Sequence, residues 1–91
     1  MSLDWLYQVI MDRKATLPPN SYTAQLFQAG LARITQKVGE EASETIVAAL
    51  TEDDGRLIEE IADLTYHLLV LMAARGIQPH AIQAELERRH R

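Results

Sequence analysis

The stretch DGRLIEEIADLTYHLLVLMAAR, residues 54–75, decides the fold. Its apolar residues do not alternate, as a half-buried strand requires; they fall at helical spacing. Asp54 at its start and Arg75 at its end complement the helix dipole. Gly76 stands where a left-handed helix cap belongs. Leu64, Leu68, Leu69, Val70, Leu71, Met72 and Ala73 cover nearly every side of this helix. A helix that is apolar all round has to be buried all round, and the rest of one short chain can hardly cover it. The stretch therefore predicts a homo-oligomer, most simply a C2 dimer with this helix near a shared core. A monomer with an exposed apolar strip is the competing reading.

Upstream, residues 24–50 carry a second helical pattern, with Leu31, Ile34, Val38, Ala42, Thr45, Ile46 and Ala49 as its buried stripe. Gly30 and Gly39 interrupt it. Each costs about 1 kcal/mol against Ala, so Gly30 marks a break or kink and Gly39 a place of close approach. Residues 3–14 form a further helix, with Leu3, Leu6, Val9 and Ile10 on one face. An extended stretch follows over residues 15–23, with Pro18, Pro19 and Asn20 as its loop. A last short helix begins near Pro79, a good first-turn residue, and Ile82 and Leu86 give it an apolar face. No segment reads as a strand. The expected fold is all-α, a bundle of four to five helices completed by dimerisation.

The 91 residues fit one domain, residues 1–91. A net charge of −4 speaks against a nucleic-acid partner, which selects for a basic patch. The absence of cysteine excludes a disulfide scaffold, a thiolate zinc site, an iron–sulfur cluster and a cysteine nucleophile. Asp4 and the lack of a long apolar run argue against a signal peptide. The longest apolar run, residues 68–74, is far short of the roughly 20 residues of a membrane span. A cytoplasmic protein with no membrane partner is expected.

Chemistry concentrates on the two long helices. Glu41 and Glu44 are three apart, as are Glu60 and Asp63, and residues at that spacing share a helix face. Two antiparallel helices could bring all four carboxylates together. Such a cluster must protonate or take up a cation, and oxygen donors suit Mg²⁺ or Mn²⁺. With no cysteine and only His67 nearby, zinc is disfavoured. Mg²⁺ usually couples carboxylates to substrate phosphates, which points to phosphate-bond chemistry. The alternative is plain solvated surface charge, and spacing alone leaves both open. Lys37, one turn before Glu41, could meet a phosphate or balance the acids. His67 could contact a phosphate or orient a water, or be a structural histidine bonded to a neighbouring carboxylate. Arg13 and Lys14 before the loop, and Ser21, Tyr22 and Thr23 after it, could bind an anion or form a solvated corner and a helix cap. Tyr66 reads as core. The Glu87/His90 spacing matches half of a di-iron motif, but it occurs once and at a terminus.

These residues resemble the phosphoribosyl-ATP pyrophosphohydrolase family of histidine biosynthesis. The resemblance runs through Asp12-Arg13-Lys14, Ser21-Tyr22-Thr23 with Leu26 and Phe27, and Gln36-Lys37-Val38-Gly39-Glu40-Glu41-Ala42 with Glu44. It continues through Glu60 and Asp63, Tyr66-His67-Leu68-Leu69-Val70-Leu71, and Glu85-Leu86-Glu87-Arg88-Arg89-His90. The carboxylate pairs alone resemble the wider all-α MazG-like nucleotide pyrophosphohydrolases; the SYT and YHLLVL segments narrow the match. The resemblance implies Mg²⁺-dependent hydrolysis of phosphoribosyl-ATP to phosphoribosyl-AMP and pyrophosphate. It implies Glu41, Glu44, Glu60 and Asp63 as metal ligands, with Glu40 and Lys37 assisting with water or phosphate. Arg13, Lys14, Tyr22, Thr23, Arg33 and His67 become candidate substrate contacts. A homodimer is implied, as is a separate phosphoribosyl-AMP cyclohydrolase for the next step, because that activity uses cysteine ligands this chain lacks. Thr65 departs from the aliphatic residue expected there, and the chain stops soon after His90. A (d)NTP pyrophosphohydrolase with the same metal motif and a non-enzymatic helical dimerisation module are the alternatives.

Overall fold

The computed structural model describes residues 3–91. Five helices follow one another: α1 Asp4–Thr16, α2 Tyr22–Ala29, α3 Leu31–Thr51, α4 Asp54–Arg75 and α5 Pro79–Arg89. No strand occurs among the described residues. None of the helices is long and apolar enough to cross a membrane.

The helix ends follow from side-chain chemistry. Ser21 is the N-cap of α2, and its hydroxyl accepts from the Ala24 amide at 3.1 Å. Asp53 does the same for α4, accepting from the Arg56 amide at 2.9 Å. Gly76 closes α4 in the left-handed conformation, φ 70° and ψ 25°. The Gly76 amide donates to the Ala73 carbonyl and the Ile77 amide to the Met72 carbonyl, the paired bonds of a Schellman motif.

One sequence expectation is corrected. The single helix over residues 24–50 is two helices, and the extended stretch ends at Ser21 rather than Thr23. Gly30 sits at φ 101° and ψ 176° between them, backbone territory essentially closed to residues with a Cβ. The break frees α2 to turn away from the axis of α3. Gly39 does not mark a close approach: a Cβ there would meet nothing within 4 Å.

The core lies where α1, α2, the start of α3 and the second half of α4 converge. Tyr7, Ile10, Leu26, Ile34, Leu69, Val70 and Ala73 are its buried members. Tyr7 also donates its hydroxyl to the Ile77 carbonyl at 2.8 Å, tying α1 to the end of α4. The expected stripe of α3 holds in part. Ile34 is buried, and Val38, Ala42 and Thr45 are half-buried. Leu31, Ile46 and Ala49 face outward, and Ala48 is buried instead. On α1, Val9 is exposed and Tyr7 takes the buried place. In both helices the neighbours occupy a narrower sector than the apolar pattern covers.

The two glycines allow a paired test. Gly30→Ala lowers the unfolding free energy by about 1–3 kcal/mol, because a strained backbone well is being filled. Gly39→Ala raises it by up to about 1 kcal/mol, because an open helical site gains propensity. Urea unfolding of both variants checks the signs.

Candidate metal centre

Helices α3 and α4 run side by side from the short connection at Glu52 and Asp53. Their facing turns place Glu41 and Glu60 opposite each other. Oxygens of Glu41, Glu60 and Asp63 lie within 4.8 Å of one another. Thr45 stitches the two helices beside them: its hydroxyl lies 2.8 Å from the Glu41 carbonyl and 3.3 Å from the Glu60 carbonyl.

Burial makes this cluster unusual. Glu41 is 6% exposed and Glu60 5%, a degree of burial that carboxylates rarely reach without a partner. Each has one oxygen satisfied by a cation one turn earlier on its own helix. The Lys37 ammonium lies 3.4 Å from Glu41 Oε1, and the Arg56 guanidinium 2.6 Å from Glu60 Oε1. The second oxygens, Glu41 Oε2 and Glu60 Oε2, are buried without a hydrogen-bond partner. An unmet buried acceptor costs about 1–3 kcal/mol, and more when charged. Glu44 is exposed beside this grouping and is not one of its members. Its carboxyl is held above the usual carboxylate range, first by hydrogen bonding with Glu41 and by the charge of Glu41, then by Glu60. An all-oxygen set with two orphaned buried oxygens fits a hard divalent cation. A cleft of about 380 Å³, lined by Ser43, Glu44, Val47, Glu52, Arg56 and Glu60, opens beside it.

Around the centre, Lys37 also pairs with Glu40 at 3.2 Å. That bond is the main reason Glu40 is held below the usual carboxylate range and Lys37 above its ordinary value. Arg33 approaches Glu40 at 3.8 Å. His67 is buried and engaged at both ring nitrogens. Nδ1 lies 2.7 Å from the Asp63 carbonyl oxygen, which only accepts, so Nδ1 carries a proton. In the neutral ring Nε2 therefore accepts from the Tyr22 hydroxyl at 3.0 Å. The partner of His67 is thus a backbone carbonyl of Asp63 and not a carboxylate. Thr23 bonds the Tyr66 hydroxyl, and the Tyr66 ring sits edge-on to His67, centroids 4.9 Å apart. Tyr66 is half-buried: it packs against the apolar core, as expected, while its hydroxyl reaches this polar cluster.

The other basic candidates lie apart. Arg13 pairs with Asp12 at 2.9 Å. The Lys14 ammonium donates to the Ala73 carbonyl at 2.9 Å. Ala73 is ten residues beyond Asp63, about 15 Å along α4. Glu87 and His90 do not belong to a metal-ligand grouping among the described residues.

Residues 3–90 match the family model described as phosphoribosyl-ATP pyrophosphohydrolase. The chain belongs to that family. A Saccharolobus islandicus protein named phosphoribosyl-ATP pyrophosphatase is 54% identical over 98% of this chain and 95% of its own. The protein of that name from Saccharolobus solfataricus is 52% identical over the same shares. The one from Sulfolobus acidocaldarius is 48% identical over 96% of this chain and 92% of its own. Membership in the phosphoribosyl-ATP pyrophosphohydrolase family makes the chain a hydrolase acting on a phosphoric anhydride.

Sequence reasoning missed Arg56, and it read Thr45 only as part of a buried stripe, not as a link between the two helices. The signal for Arg56 was present: it precedes Glu60 by four residues, as Lys37 precedes Glu41.

Glu44 gives a test that needs no substrate. Its raised native value means that the folded state takes up a proton more readily than the unfolded chain. Its contribution to metal-free stability therefore grows as pH falls through the raised value and declines above it. Glu44→Gln raises Tm of the metal-free protein at neutral pH, and the gain shrinks towards about pH 4, where an ordinary carboxyl also protonates. Equal Tm values at neutral pH contradict the crowding of Glu44 against Glu41.

Proposed function

We propose that this protein hydrolyses phosphoribosyl-ATP between its α and β phosphates, releasing phosphoribosyl-AMP and pyrophosphate, with Mg²⁺ as cofactor and Mn²⁺ as a substitute. This is the second step of histidine biosynthesis. One observation carries the reading: two buried, unpartnered carboxylate oxygens, Glu41 Oε2 and Glu60 Oε2, converge with Asp63 in a chain of this family.

Glu41, Glu44, Glu60 and Asp63 would hold the cation. When bound, it supplies Lewis-acid polarisation of the phosphoryl oxygens. Glu40, kept ionised by Lys37, is the candidate to accept a proton from the attacking water. Lys37 stands ready to exchange Glu40 for a substrate phosphate. Arg33, which approaches Glu40, and Tyr22, which lies close enough to influence Lys37, would orient the anionic substrate. His67, through the Tyr22 hydroxyl, and Thr23, through the Tyr66 hydroxyl, are further candidate substrate contacts. Arg13 and Lys14 complete the substrate set by exchanging their present bonds for a phosphate.

The apolar surface supports a homodimer. Ile46, Val47 and Leu50 on α3 and Ile58, Ile61 and Leu68 on α4 are exposed, a large area for a monomer to leave wet. The working state is a cytoplasmic homodimer that passes its product to a separate phosphoribosyl-AMP cyclohydrolase.

Pyrophosphate release from phosphoribosyl-ATP, with and without Mg²⁺ and with ATP and dNTP controls, tests the reading. Release is expected only with both this substrate and the metal. Turnover of dNTPs with inert phosphoribosyl-ATP would move the protein to a different substrate. Glu60→Gln and Asp63→Asn each lower kcat by about two orders of magnitude or more, the usual result of removing one preorganised electrostatic group. Near-normal turnover in both sinks the ligand assignment.

A further inference from the structure

We propose that Arg56 is a positioning residue for the metal centre, holding one oxygen of Glu60 so that the other is aimed at the cation. The inference rests on the metal reading above and adds a residue outside the ligand set.

The argument is an internal repeat. On α3 the order is Lys37, Glu40, Glu41, Glu44; on α4 it is Arg56, Glu59, Glu60, Asp63. Each run is a cation followed by carboxylates three, four and seven residues later. The side chains follow the same plan in space. Lys37 pairs with half-buried Glu40 and buried Glu41. Arg56 pairs with exposed Glu59 and buried Glu60. In each helix the cation takes Oε1 of the buried carboxylate and leaves Oε2 without a partner. The third carboxylate lies one turn further along, at the mouth of the centre. Antiparallel packing turns the two runs towards each other, with Asp63 rather than Glu44 joining Glu41 and Glu60 at ligand distance.

This division of oxygens distinguishes positioning from obstruction. Were Arg56 filling the centre in place of the metal, it would occupy the inward oxygen. It leaves that oxygen bare. A ligating carboxylate whose other oxygen is hydrogen-bonded is fixed in rotation and presented for monodentate binding. The remaining contact of Arg56, Glu52 at 4.0 Å, braces it from the start of the helix pair. Charge alone works the other way: deleting a cation next to the centre should tighten metal binding. The sign of the change therefore separates the two roles.

Calorimetric titration of the full chain with Mn²⁺, without substrate, reads this directly. Arg56→Leu should weaken Mn²⁺ binding by about 10–100-fold, the range for outer-shell partners of metal ligands. Arg56→Lys, which can bond Glu60 as Lys37 bonds Glu41, should restore binding to within a few-fold of the parent. Circular dichroism verifies folding. If Arg56→Leu does not fold, Arg56→Asn, too short to reach Glu60, carries the same comparison. Unchanged or tighter Mn²⁺ binding in a folded leucine or asparagine variant overturns the proposal, as does a lysine variant as weak as they are. A parent protein that binds no Mn²⁺ overturns the metal reading itself, before any variant is compared.

Discussion

Two carboxylates, Glu41 and Glu60, are buried face to face between α3 and α4, and much of the structure is arranged around that fact. Buried like charges are tolerated only with compensation. Half of the compensation is internal, from Lys37 and Arg56. The other half is missing from the chain, because the inward oxygens have no donor. Acceptors buried without donors fit a ligand that brings positive charge.

The centre is held by what lies to either side of it. Thr45 joins the backbones of α3 and α4 at the level of the carboxylates. One turn beyond Asp63, His67 locks onto the Asp63 carbonyl and receives the Tyr22 hydroxyl from α2. That contact is possible because Gly30 breaks the chain and lets α2 fold back. The apolar core is displaced towards the other end of α4, where Val70 and Ala73 meet α1 and α2. The chain thus separates a stabilising half, packed with Ile10, Ile34 and Val70, from a working half tied together by polar bonds among α2, α3 and α4. Unmet polarity collects in the working half, as it does in catalytic sites generally.

The outer faces of α3 and α4 carry apolar residues on the working half. Leu50 is 80% exposed and Ile58 67%. A chain of this length has little core to spare, so leaving such side chains in water is poorly compensated within one copy. The same helices that hold the carboxylates inward present these residues outward. Association of two copies and formation of the centre would therefore be coupled through one pair of helices.

Local order was legible in the sequence. Asp54, Arg75 and Gly76 delimit α4 as read, since capping and dipole effects act within a turn or two. The three-residue spacing of Glu41/Glu44 and Glu60/Asp63 assigned the carboxylates to common helix faces, for the same local reason. The break at Gly30 was visible as a choice, but a kink and a full stop look alike in a helical pattern. What only the tertiary structure decided is which sector of each helix is covered. The apolar pattern put Ile46 and Ala49 on the buried stripe, and the placement of the neighbouring helices buries Ala48 instead. The same placement decides that Glu41 and Glu60, rather than their neighbours Glu40 and Glu59, turn inward, and so which acids lose water and need a cation. Periodicity is set by the backbone of one helix; desolvation is set by the position of another.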